Sequence, residues 1–302
     1  MTDLASPCGV LLVDKPAGPT SHDVVERVRR ELGTHRVGHT GTLDPFATGL
    51  LLLCVGPATR LVEFLTELPK RYLADLRLGE STTTDDPEGE VSATSEGWRA
   101  LERARVEDAL ASFRGSFLQT PPPFSAKKVA GRPAHYRTRR GEVVVLTPVP
   151  VEVHGLKLAG WDPPALQLDV LCSAGTYVRA LARDLGEALG TGAHVRTLRR
   201  IEVGRFRVRE ALELEQLRDE GAVARAWLSP ASALGHLPRM AVGPDEATRL
   251  AHGQPVPLPE RNAALPDGPL AVVQGQELVA VAVRVGECLL PRKVFAPAQP
   301  ER

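Results

Sequence analysis

The chain has 302 residues, of which 43% are apolar and 25% charged, with 37 basic side chains balanced by 37 acidic ones. That length carries a substantial core and points to two domains, while a formal charge of zero removes overall basicity as an argument for a polyanionic partner. No run of about 18 apolar residues occurs, and the N-terminus MTDLASPCGV lacks the basic-then-apolar order of a secretory signal.

In chain order, GVLLVDKP reads as a strand ending in the turn PAGPTS. Thr20 or Ser21 can then cap a helix over HDVVERVRREL, where Val24, Val25, Val28 and Leu32 share a face and Gly33 stops it. The loop GHTGTLDPFATG, residues 38–49, follows. In it Pro45 keeps Asp44 out of helical dihedrals, and Gly38, Gly41 and Gly49 permit tight or close-approaching backbone. Residues 49–55 read as a fully apolar strand, and ATRLVEFLTEL as a short helix. YLADLRLG reads as a strand with Tyr72, Ala74, Leu76 and Leu78 on one side. STTTDDPEGEVSATSEG reads as a loop with a short strand at its end, and RVEDALASFRG as a helix through Val106, Leu110 and Phe113.

LQTPPPFSAKKVAGRPAHYRTRRGE is proline-rich and then basic, which predicts an exposed insertion at about residues 120–145. VVVLTPVPVEVHGLKLAG and ALQLDVLCS are strand-like, TYVRALARDLGEALG is a helix, and strands return in HVRTLRRIEVGRFRV. Without a regular βαβ period this mixture predicts an α+β domain. Residues 228–238 read as a linker. Beyond it one short helix, PDEATRLAHG, and three strands predict a small, mostly β unit near the lower limit for an independent core.

The chemistry is narrower. Phosphate loops of the P-loop or dinucleotide type, G-x-S-x-G elbows and zinc-type histidine pairs are absent from the sequence. Cys8, Cys54, Cys172 and Cys288 are far apart without C-x-x-C, so free thiols in a reducing cytoplasm are expected. Charge is unevenly placed. Lys127, Lys128, Arg132, Arg137, Arg139 and Arg140 form one stretch without an acid. HVRTLRRIEVGRFRVR, with Arg196, Arg199, Arg200, Arg205, Arg207 and Arg209 against Glu202, forms another. Brought together by a fold, the two would make a phosphate-binding face. By itself, Asp44 before Pro45 is a turn aspartate. On a rigid loop with a cationic partner it becomes a nucleophile or general base.

GVLLVDKPAGPTSHDVV, RVGHTGTLDPFATGLLLLCVGPATRL, KRYLADLRLG, PPPFSAKKVAGRPAHY and CSAGTYVRALARDLGEALGTGAHVRTLRR resemble, in order and spacing, the bacterial TruB family of tRNA pseudouridine synthases. The resemblance spans residues 9–208, and the tail is similar to the family's C-terminal PUA domain. It implies a pseudouridine synthase fold, with a central mixed, largely antiparallel β-sheet flanked by helices. The implied division is a catalytic domain over 1–235 and a small, mostly β PUA-like domain over 236–302. Asp44 matches the catalytic aspartate and Arg179 the arginine that ion-pairs with it. Tyr72 would stack on the target uracil, Tyr177 and Leu198 would line the uridine pocket, and His39 would occupy space vacated by everted bases. Asp14, Lys15 and Pro16 match a family motif with a mainly structural role. Phe124 and Phe46 depart from the residues usual in the family but stay apolar. The implied partner is tRNA, bound at its T-stem loop, with the C-terminal domain on the acceptor end. No cofactor, metal or membrane is implied, and a cytoplasmic monomer is expected. Asp44 could attack C1′ or C6 or remove the 2′ proton. The competing readings are a tRNA-binding or RNA-folding protein with secondary or lost catalysis, and a base-releasing enzyme.

Overall fold

The computed structural model describes residues 7–122, 146–258 and 267–295, together with the backbone of 128–129 and 132–133. A mixed sheet of eleven strands organises the larger part of the chain. Its main strands are β1 (Gly9–Lys15), β2 (Thr48–Val55), β3 (Lys70–Leu78), β4 (Gly115–Gln119), β5 (Val149–Asp162), β6 (Ala165–Cys172) and β7 (Ala193–Val203). In space they run β1-β2-β7-β3-β6-β5-β4. Of these pairs only β7 with β2 is parallel, in register at Arg199 with Thr48 and Arg200 with Gly49. The expected mixed, largely antiparallel sheet is the one that forms.

β2 lacks alternation because both its faces are covered, so Leu50, Leu51, Leu52 and Leu53 all sit in one core with β1 and helix α1 (Ser21–Glu31). Thr20 is the cap of α1. Its hydroxyl accepts from the Asp23 N–H at 3.1 Å while the Asp23 carboxylate accepts from the Thr20 N–H at 2.8 Å. β3 alternates as expected. Tyr72, Ala74, Leu76 and Leu78 face a second core shared with α2 (Arg103–Ala111) and α3 (Val178–Leu189), through Val106, Leu110, Leu181 and Leu185. The opposite face of β3, β6 and β7 carries ion pairs, with Arg71 on Asp169 at 2.6 Å.

Three expectations change. ATRLVEFLTEL divides into a 3₁₀ turn, Gly56–Leu61, with Pro57 at its start, and a short α-helix, Val62–Thr66. The threonine-rich loop is a hairpin of Glu80–Thr82 with Val91–Thr94, its tip closed by threonine side chains such as the Thr82 hydroxyl, which donates to Asp86 O at 2.8 Å. The supposed linker is packed. Leu228 pairs with Val10 of β1, and Ala231, Ala233 and Leu234 are buried in the core of α1 and β2. Alternating small and apolar residues, read as a loose connection, are what fits against a buried strand.

The C-terminal sheet contains Arg239–Ala241, Val256–Pro257, Pro269–Gln274, Glu277–Val285 and Cys288–Val294, with the helix Pro244–Ala251 packed on it. Met240, Leu250, Val272 and Val279 form a core of its own, but Val273, Leu278, Val281 and Phe295 join the large one. A unit this small thus gains apolar burial by sharing a core, and Lys293 reaches Glu63 at 2.7 Å across the junction.

Gly49 is the glycine the topology needs most. Its φ is +106°, and a Cβ there would lie 2.2 Å from the Arg200 carbonyl oxygen of β7. Gly49→Ala is therefore expected to lower unfolding free energy by more than about 2 kcal/mol, from left-handed strain and overpacking together, read from urea unfolding midpoints.

Candidate active site

The loop of residues 40–47 is pinned from three sides. Ser21, released from capping by Thr20, accepts from Leu43 N–H at 2.8 Å and donates to Leu43 O at 3.0 Å. The fully buried Lys15 ammonium donates to Pro45 O at 3.1 Å and to Pro19 O at 2.7 Å. From below, Arg200 donates to Gly41 O at 3.0 Å and to Leu50 O at 2.7 Å. Asp44 O accepts from Ala47 N–H at 3.1 Å, closing a turn whose second residue is Pro45, where its fixed φ is favoured. Leu43 and Ala47 are buried on either side, so the carboxylate between them is held on rigid backbone.

Asp44 faces Arg179, in the first turn of α3. Arg179 Nη2 donates to Asp44 Oδ1 at 3.1 Å, and Nε lies 3.0 Å from Oδ2 as an ion-pair contact. The guanidinium is 4% exposed against 33% for the Asp44 side chain, so the acid sits at the mouth and the base behind it. The other edge of Arg179 is also held. Nη1 donates to Asp86 Oδ2 at 2.9 Å and to Thr84 O at 2.8 Å. Asp86 is in turn fixed by the Glu88 N–H at 3.0 Å and by the Thr84 hydroxyl. A planar five-donor cation with both ends clamped is aimed at Asp44 in a way no lysine could reproduce.

Around this pair opens a cavity of about 220 Å³. Tyr72 and Leu198, neighbours across the β3–β7 pairing, supply apolar walls, and the segment 174–177 with Asp44 and Arg179 closes the rim. Tyr177 is positioned by Gln119, whose side-chain amide accepts from Tyr177 N–H at 2.9 Å and donates to Tyr177 O at 3.1 Å. Lys70 and Arg200 also line the cavity. Burial pulls the Lys70 ammonium down to about 8, with Arg200 adding to the effect. Burial likewise raises the Tyr72 hydroxyl against the opposing pull of Arg200.

Of the residues singled out in the sequence, Asp44, Tyr72, Tyr177, Arg179 and Leu198 come together here. His39 ends the short strand Val37–His39, paired with Leu53 of β2 just before that loop, and stays outside the lining. It is half-buried, and its Nδ1 accepts from Gly41 N–H at 3.3 Å. Burial, with Arg200 adding to it, lowers the His39 pKa, which favours the neutral ring with Nδ1 as acceptor. The arginines of residues 196–209 are reassigned. Arg200 is 2% exposed and bonded to the carbonyls of Gly41 and Leu50, Arg199 of β7 pairs with Asp14 of β1, and Arg207, on the short strand that follows β7, pairs with Glu202. Arg196, Arg205 and Arg209 remain exposed. Lys127, Arg137, Arg139, Arg140 and Phe124, and the side chains of Lys128 and Arg132, lie outside the described residues. Sequence reading missed Asp86, Gln119 and Lys70. Asp86 stood among acids taken for a solvated loop, and only the hairpin's register turns it inward.

Burial raises the Asp44 pKa above the ordinary carboxylate value, Arg179 opposes this and Asp86 adds to it. The folded state thus binds the Asp44 proton more tightly than the unfolded chain. Ionising Asp44 costs stability as pH rises through this range, and Arg179 reduces that cost. A reaction that needs the carboxylate should rise with pH along an acid limb displaced upward from the usual carboxylate midpoint. A profile of kcat/KM against pH checks this.

The chain is matched over residues 29–178 by the family model for the N-terminal domain of TruB family pseudouridylate synthase. Over residues 179–244 it is matched by that for the C-terminal domain of tRNA pseudouridylate synthase B. It is 45% identical to the tRNA pseudouridine synthase B of an Arthrobacter species across 96% of this chain and 97% of the relative. Identity to the tRNA pseudouridine synthase B of Ruegeria pomeroyi is 42%, across 95% of each chain. Among solved structures, a chain of the archaeal box H/ACA sRNP Nop10–Cbf5 complex superposes with a TM-score of 0.75 at 25% identity, covering 100% of this chain and 91% of that one.

Proposed function

The chain belongs to the TruB family of pseudouridylate synthases, and from that premise we propose that it acts on uridine 55 in the T-stem loop of tRNA, with Asp44 as the catalytic group. It is an isomerase that turns uridine into pseudouridine in tRNA. The reading of the site rests on one observation: a carboxylate on a pinned loop, ion-paired and hydrogen-bonded to a buried arginine, at the rim of a cavity walled by Tyr72, Tyr177 and Leu198.

The reaction breaks the bond from uracil N1 to C1′ and joins C5 to the same carbon, so it is redox-neutral. Asp44 supplies the charge that C1′, C6 or the 2′ proton demands, and Arg179 keeps it ionised and oriented. Extruding a stacked uridine costs roughly a few kcal/mol, and stacking on Tyr72 recovers about 1–3 kcal/mol. The neutral His39 ring, an uncharged plate at the loop's edge, takes the space the base leaves. The C-terminal sheet, residues 239–294, is the PUA-like unit that grips the acceptor end, and the enzyme works as a monomer in the cytoplasm. Among the described residues no helix is long and apolar enough to cross a membrane.

The test uses a T-stem-loop RNA carrying tritium at C5 of the target uridine. Pseudouridine formation releases the label while leaving the RNA's unlabelled mass unchanged. Free uracil or an abasic site would make the enzyme a nucleosidase, and binding without label release would make it an RNA-folding protein. The basic stretch at residues 127–140 belongs to the same reading. Neutralising Arg137, Arg139 and Arg140 together should weaken RNA binding and lower the slope of log K against log salt by about two to three, as three phosphate contacts require. An unchanged slope would remove these side chains from the RNA footprint.

A further inference from the structure

The cavity holds two further cations, Lys70, without a role so far, and Arg200, so far only an anchor of the Asp44 loop. Lys70 and Arg200 are both buried and both line it. Lys70 donates to Thr66 O and, at 2.7 Å, to Leu68 O. Arg200 donates to Leu50 O, Gly41 O and Thr42 O. Among the described residues neither forms an ion pair with a carboxylate, in contrast to Arg179, which has two. Carbonyl dipoles satisfy the donors without cancelling the charge, so positive potential is left in a pocket of low dielectric. An ammonium has three N–H donors, and two of those on Lys70 are engaged by the carbonyls.

We infer that Lys70, with Arg200 beside it, is a catalytic group that stabilises negative charge developing on the uracil as its bond to ribose breaks. The inference rests on the reading of this cavity as the uridine pocket. Every route open to Asp44 places negative charge on the base. When N1–C1′ breaks, its electron pair goes to uracil and is shared by N1, O2 and O4. C1′ is satisfied either by a bond to the Asp44 carboxylate oxygen or by loss of the 2′ proton to that carboxylate. Attack at C6 instead places the charge on O4 as an enolate. In the closing step C5 bonds to C1′, the carboxylate is released or returns the proton to C2′, C5 loses its hydrogen as a proton, and N1 gains one. A cation already fixed by Thr66 and Leu68 needs no reorganisation when the charge appears, which is what makes such a group effective. Lys70 and Tyr72 share the buried face of β3 and both line the cavity in which the base would stack.

Lys70→Gln tests this, because the amide keeps a polar, uncharged donor, one bond nearer the backbone, while the charge is gone. Single-turnover rates would be measured on T-stem-loop RNA with uridine or 5-fluorouridine at the target, the second scored by disappearance of the parent nucleoside. Fluorine makes the base a better anion and lessens its need for help. The uridine rate is expected to fall about 100-fold with RNA binding unchanged within threefold, the 5-fluorouridine rate to fall about tenfold or less, and Lys70→Arg to restore most of the uridine rate. Equal falls on both substrates, an unchanged uridine rate, or a loss confined to binding would overturn the inference. If Lys70→Gln does not fold, Lys70→Met is carried through the same comparison. An Asp44→Asn variant that still converted uridine would overturn the underlying site reading separately, whatever Lys70→Gln does.

Discussion

Asp44→Asn is expected to stop tritium release from a T-stem-loop RNA, lowering the single-turnover rate at least about a thousandfold while tRNA binding stays within a few-fold of wild type. The substitution keeps the side chain's size and removes only its charge. The loop's anchors are independent of that charge: the Ser21 bonds to Leu43, the Lys15 ammonium on Pro45 O and the Arg200 guanidinium on Gly41 O all remain. A neutral amide can still accept from one Arg179 nitrogen, but it can neither attack an electron-deficient carbon nor take a proton. Far-ultraviolet circular dichroism matching wild type would assign the loss to chemistry. Equal conversion by the variant would remove Asp44 from the mechanism and leave the cavity without a catalytic group.

The site residues are legible through the family resemblance of their joint motifs, while local sequence supplies only their backbone settings, for a physical reason. Asp44, Arg179 and Tyr177 sit where glycine, proline and a helix start constrain the backbone within a few residues, so their setting is written beside them. Tyr72 follows from the alternation of β3, whereas Leu198 faces inward only because β7 is irregular between Val195 and Thr197. Asp86 is different. Its local signal, two acids in a threonine-rich turn, is that of a solvated loop, and it is buried only because the hairpin folds over the start of α3. Arg200 shows the reverse error. In sequence it belongs to a basic run, but the parallel pairing of β7 with β2 buries it under the Asp44 loop. A pairing between residues about 150 apart leaves no trace in the composition of either segment. The packed segment 230–234 escaped for a related cause, since small residues mark a loop or a close contact equally well.

Removing the arginine and removing its second partner should move the site in opposite directions. Arg179→Ala is expected to lower kcat/KM by at least about a thousandfold, because it withdraws the cation shared by Asp44 and Asp86 and leaves two carboxylates in a largely buried site. Arg179 lowers the Asp44 pKa, so its loss shifts the acid limb of the remaining activity to higher pH. Asp86 raises the Asp44 pKa, so Asp86→Asn should shift that limb to lower pH. Its amide oxygen can still accept from Arg179 Nη1, and the cost in rate is expected to be nearer tenfold, as for a positioning residue. Profiles of kcat/KM against pH for the two variants therefore separate electrostatic control from simple packing. If both shifted the limb the same way, or neither shifted it, the Asp44–Arg179–Asp86 chain would be holding the hairpin to α3 and would not be setting the charge of the Asp44 carboxylate.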